Sequence, residues 1–122
     1  MVSYDTIIAG GDYLVATSDL IKKTLTDVKT AIDSGKFQPI SRLKNRNTLA
    51  QLGLTWEDAK SELYELEEAD YHTGPMVDND DFDSDFFWVF KKRVSGEMIY
   101  IKFKILYQED GRVKVVSFHI DE

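Results

Sequence analysis

Tyr100, Lys102 and Lys104 recur at every second position near the end of this chain, and Ser117 and His119 share a parity of their own a short way downstream. Residues two apart lie on one face of an extended strand. If residues 97–105 and 113–120 are neighbouring antiparallel strands, same-face side chains come within about 5 Å across the pair, which brings Tyr100 or Lys102 beside His119. The one other histidine, His72, precedes a run of aspartates. A phenol, an ammonium and an imidazole on one sheet face suit metal-free RNA cleavage. In that chemistry a base deprotonates the ribose 2′-hydroxyl, cations stabilise the phosphorane and an acid protonates the leaving oxygen. Tyr100, Lys102, His119 and His72 are therefore the candidate catalytic residues, with Lys104, Lys91 and Arg93 as candidate RNA contacts. The plainer alternative is the polar outer face of a sheet.

Other chemistries find little support. There is no cysteine, which removes disulfides, thiolate zinc sites and cysteine nucleophiles. The chain carries no H-E-x-x-H, no G-x-S-x-G and no phosphate-cradling glycine loop. Asp81, Asp83 and Asp85 imitate the first ligands of a calcium loop, but Phe86 stands where the glycine is required and Lys92 where the terminal glutamate belongs. Neither a metal nor another cofactor is expected. A formal charge of -7 argues against a polyanionic partner until its distribution is considered. Residues 55–86 hold twelve Asp or Glu and one Lys, a net of -11, leaving +4 for the rest of the chain, which includes the C-terminal strands.

The elements that must position these groups follow from periodicity. Ile99, Ile101, Phe103 and Ile105 alternate with Met98, Tyr100, Lys102 and Lys104, so residues 97–105 form a strand with one apolar and one polar face. Residues 87–94 precede it across Ser95-Gly96, and residues 113–120 follow it across Gln108-Glu109-Asp110-Gly111, which predicts an antiparallel meander of at least three strands. Ser18 reads as the N-cap of an amphipathic helix whose stripe is Ile21, Leu25, Val28 and Ile32, stopped by Gly35. Residues 36–46 read as a basic, irregular link and residues 47–52 as a short helix. Thr55-Trp56-Glu57-Asp58 opens another helix with an acidic capping box, Ala59, Leu63 and Leu66 facing inward and the glutamates outward. Gly74-Pro75 ends helical structure, and an acidic loop over 78–85 is expected to be mobile. The fold class is α+β, with N-terminal helices packed on a C-terminal antiparallel sheet.

At 122 residues the chain is expected to form one domain over 18–122, preceded by an extension over 1–17 that is either a small hairpin or a loosely attached arm. No apolar run approaches the ~20 residues that span a bilayer, and no signal-peptide pattern opens the chain, so a cytoplasmic protein without membrane contact is expected.

An ordered set of short pieces carries a family resemblance: Leu52-Gly53-Leu54-Thr55, Leu66 with Asp70-Tyr71 and Gly74-Pro75, Trp88-Val89-Phe90, Ile99-Tyr100-Ile101-Lys102, and Val116-Ser117-Phe118-His119. From about residue 20 to 119 the chain resembles the MqsR family of type II toxins, in the RelE-like superfamily. The resemblance implies a compact α+β fold, ribosome-independent and metal-free cleavage of single-stranded mRNA, and a cognate antitoxin that blocks the toxin, for which a helix-turn-helix protein is the expected kind. It also implies that Tyr100 matches the family's active-site tyrosine. His119 stands where the better-known members have a lysine, Thr73 stands at another family lysine with His72 beside it, and Val89 falls near the family's strand glutamine. The competing function, from a different class, is a non-catalytic interaction protein whose acidic 57–85 surface binds a basic partner or imitates nucleic acid.

Overall fold

The computed structural model describes residues 7–8, 14–77 and 85–122. Short strands β1 (Ile7–Ile8) and β2 (Leu14–Val15) pair antiparallel as a hairpin, one of the two arrangements open to the N-terminal segment. Three helices follow: α1 (Ser18–Asp33), α2 (Leu43–Leu52) and α3 (Trp56–Tyr64). Strands β3 (Phe37–Pro39), β4 (Tyr71–Met76), β5 (Phe87–Val94), β6 (Glu97–Ile105) and β7 (Val113–Ile120) form one sheet in the order β3-β7-β6-β5-β4. The pairs β4–β5, β5–β6 and β6–β7 are antiparallel, and only β3–β7 is parallel. The architecture is α+β, as the sequence predicts, with the meander at its centre.

Helices α1 and α3 begin where side chains satisfy orphaned amides. Thr17, one residue earlier than expected, caps α1 through its hydroxyl, which accepts the Leu20 N–H at 3.2 Å. The Thr55–Asp58 capping box closes in both directions at the start of α3. α1 buries Ile21, Leu25, Val28 and Ala31, and α3 with the segment after it buries Ala59, Leu63 and Leu66. These meet the apolar face of the sheet, where Phe90, Ile99, Ile101, Phe103, Val113, Val115 and Phe118 are fully buried. Phe90 stacks on Phe103 with ring centroids 5.6 Å apart, and the Tyr71 ring meets Trp88 and Phe90 edge-on. Glu62 and Glu68 are not simply solvated, since they pair with Lys92 at 2.8 Å and Lys22 at 3.9 Å.

Two elements differ from expectation. The presumed link over 36–46 contains β3 and the first turn of α2; a three-residue strand ending in Pro39 is too short to show a period, and it sits at a sheet edge where proline is tolerated. The presumed helix stop at Gly74-Pro75 lies inside β4, also an edge strand. Gly74 is required there: its φ is 118°, and a Cβ would come within 2.9 Å of the Phe87 carbonyl oxygen. Of the presumed acidic loop, residues 78–84 lie outside the described residues, and Asp85 is 9% exposed.

The largest correction concerns Lys104. It was expected on the solvated polar face with Tyr100 and Lys102, yet it is 0% exposed and engaged with a partner, so its ammonium is not presented to a phosphate. The register between β6 and β7 shifts at this point: Lys102 opposes Ser117, but Phe103 opposes Val115, leaving Val116 as a bulge residue. β5 and β6 stay in register past this point, so Lys104 remains on the face of Tyr100 and Lys102, and that face is open around Tyr100 and enclosed at Lys104.

Phe103→Ala should destabilise the protein by about 3 to 5 kcal/mol in a denaturant titration, because it opens a cavity where β6 meets Phe90. A cost within about 0.5 kcal/mol of zero would contradict the assigned core.

Candidate active site

On the face of the sheet turned away from α1 and α3, Tyr100 of β6 lies between Lys91 of β5 and His119 of β7, each directly opposite it in register. The Tyr100 and His119 rings stack with centroids 5.2 Å apart and planes 15° from parallel. All three side chains are half-buried, reachable from solvent and backed by the core. The antiparallel pairing that the alternation of β6 demands is what brings these residues together; parity put Tyr100 or Lys102 beside His119, and the register selects Tyr100.

The His119 ring is oriented by its own backbone. Its Nδ1 lies 3.0 Å from the Ile120 carbonyl oxygen, and a carbonyl can only accept, so Nδ1 carries the proton. In the neutral ring that leaves Nε2 with a lone pair, the form a general base needs. The Ile120–Asp121 peptide is itself fixed, since the Asp121 N–H donates to the Met98 carbonyl at 2.8 Å. Lys91 is held against Asp121 at 3.0 Å, with both side chains 27% exposed. Arg93, exposed and opposite Met98, donates to the Gly96 carbonyl at 3.3 Å and extends the cationic edge.

The remaining candidates stand further off. Lys102 opposes Val89 and Ser117, but its ammonium sits 4.0 Å from the centre of the Phe87 ring. Phe87 is in register with Lys104, so Lys102 leans away from Tyr100. Lys104 is buried, as described above. His72 is exposed on β4, at a point where the register with β5 shifts between Tyr71 and Thr73. Two strand spacings, roughly 10 Å, separate β4 from β6, so the structure does not bring His72 to Tyr100.

Three residues of this neighbourhood escaped the sequence reading. Asp121 neutralises Lys91, and Asn45 and Thr48 of α2 hydrogen-bond the β7 backbone on either side of His119. An asparagine inside a helix disfavours that helix unless its amide is used, which is the one sequence signal that pointed to it.

The tautomer is directly measurable. Long-range proton–nitrogen NMR of neutral His119 should show Nδ1 as the protonated nitrogen; a dominant Nε2–H form would contradict the hydrogen bond to Ile120.

Among the described residues no helix is long and apolar enough to cross a membrane. A search of curated proteins finds no match to the chain. A protein-family model described as "Motility quorum-sensing regulator, toxin of MqsA" matches residues 22–120, a span that takes in α1 from its second turn, α2, α3 and the whole five-stranded sheet. The chain thus belongs to the MqsR toxin family, the toxin half of a toxin–antitoxin system whose partner is an antitoxin.

Proposed function

We propose that this toxin is a ribosome-independent, metal-free endoribonuclease that cuts single-stranded mRNA at the Tyr100–His119 pair. The observation that carries the reading is the stack of those two rings with Lys91 directly across from Tyr100. A neutral imidazole accepts a proton through its free ring nitrogen and a phenol has one to give, so His119 serves as the base and Tyr100 as the proton donor. His119 Nε2 would take the 2′-hydroxyl proton, and the freed oxygen would attack the adjacent phosphorus. Lys91, released from Asp121 by the incoming phosphate, would offset the charge on the phosphorane, and the Tyr100 hydroxyl would protonate or hydrogen-bond the departing 5′-oxygen. Lys102 and Arg93 would hold flanking phosphates. His72 is assigned no part in the proton transfers.

This assignment uses only side chains of the chain itself for acid, base and cation, so cleavage should persist in EDTA. An mRNA substrate would put the work of the protein in the cytoplasm. The antitoxin, for which a helix-turn-helix protein is the expected kind, would silence the toxin.

Purified wild type should degrade a long single-stranded RNA in EDTA. Tyr100→Phe and His119→Ala should each slow cleavage by about 10²- to 10⁴-fold while circular dichroism remains that of the wild type. His72→Ala should cost far less. Intact RNA after incubation with wild type, or wild-type rates in both folded site variants, would refute the catalytic reading and favour a toxin that acts by binding through its acidic 57–85 surface.

A further inference from the structure

Strand β7 has a full-length neighbour on one side only. On the other, β3 pairs with residues 113–115 and stops, so the half of β7 that carries His119 faces α2 with no strand beside it among the described residues. An edge of this kind leaves backbone groups that must be satisfied by something other than a ladder. Asn45 supplies most of what is missing: its Nδ2 donates to the Val116 carbonyl at 3.0 Å, and its Oδ1 accepts the Phe118 N–H at 2.9 Å. The second Nδ2 proton goes to the Ile40 carbonyl at 2.9 Å. Three residues on, and so on the same helix face, the Thr48 hydroxyl accepts the Ile120 N–H at 3.0 Å.

Both side chains are buried, Asn45 at 0% and Thr48 at 4% exposure. Asn45 uses both amide protons and its oxygen, which makes it a fixed point rather than an adaptable one. The backbone bonds fall at Phe118 and Ile120, the two neighbours of His119, and the bond to Val116 grips the bulge residue. A helix covering the sheet edge through Leu49 alone would exclude water without fixing where His119 stands. We infer that Asn45 and Thr48 are positioning residues for His119, taking the place of the absent strand and setting the imidazole against Tyr100.

The catalytic consequence rests on the nuclease reading above; the geometric one does not. Thr48→Val keeps the shape and replaces the hydroxyl that accepts the Ile120 N–H with a methyl, whereas Thr48→Ser keeps the hydroxyl, so this pair separates positioning from bulk. In the Thr48→Val protein the His119 ring resonances should shift away from their wild-type values and lose the single Nδ1–H tautomer. Its kcat for RNA cleavage should fall about 10- to 100-fold with KM changed less than about threefold, as small misplacements of a reacting group do. Thr48→Ser should recover both readouts. Should Thr48→Val not fold, Thr48→Ala is read in the same way. His119 resonances identical to wild type in the folded variant, whatever its melting temperature, would reduce Thr48 to a structural residue and overturn the inference. A wild type that leaves RNA intact would refute the nuclease reading alone, because the resonances still decide the positioning.

Discussion

The rest of the structure depends on the two unlike faces of β6. Ile99, Ile101, Phe103 and Ile105 must leave water, and α1 and α3 provide the surface that lets them do so. Burying that face turns Tyr100 and Lys102 the other way, and a slip of one residue would put the phenol in the core and the isoleucines in solvent. The same burial therefore selects the fold and presents the site. It also explains why the neighbours of Tyr100 are Lys91 and His119, since the meander turns at Ser95-Gly96 and around Gly111 fix the registers of β5 and β7 against β6.

The second constraint is the enclosure of Lys104. β6 runs in regular register with β5 from Tyr100 through Lys102 to Lys104, so all three side chains share one face, yet Lys104 is enclosed while Tyr100 and Lys102 are not. Enclosing a lysine is unfavourable unless it is engaged, and Lys104 is engaged. The open part of the face shrinks to the patch of Arg93, Lys91, Tyr100, His119 and Lys102. Its cations are already occupied, Lys91 by Asp121 and Lys102 by the Phe87 ring, and because these half-buried contacts remain open to solvent they are worth about 1 kcal/mol, so a polyanion can displace them.

Where the sequence was readable, the signal was local and repeated. The alternation from Glu97 to Ile105, the stripe of α1 and the Thr55–Asp58 box each follow from periodicity or a cap, and parity put Tyr100 or Lys102 beside His119, while the register chose Tyr100 and the stacking of the rings came from the structure. What stayed hidden depends on distant parts of the chain. β3 is three residues long and exists only because β7 offers it a parallel partner. The start of α2 at Leu43 has Arg42 as an N-cap with no side-chain bond, so no capping signal announces it. The burial of Lys104 on an otherwise polar face and the distance of His72, set by strand order, are not encoded by alternation. Asn45 and Thr48 act on residues more than seventy positions away.

The claim that a base beside Tyr100 activates the ribose has a chemical signature of its own. Attack by the 2′-oxygen leaves a 2′,3′-cyclic phosphate on the upstream fragment, and a strand without the 2′-hydroxyl cannot react in this way. The direct measurement is to incubate the purified protein in EDTA with an RNA oligonucleotide and with its all-2′-deoxy counterpart, and to identify the new ends by mass spectrometry. RNA fragments ending in 2′,3′-cyclic phosphate beside an intact deoxy strand are the predicted result. Cleavage of both strands, or RNA fragments bearing 3′-hydroxyl and 5′-phosphate ends, would contradict it.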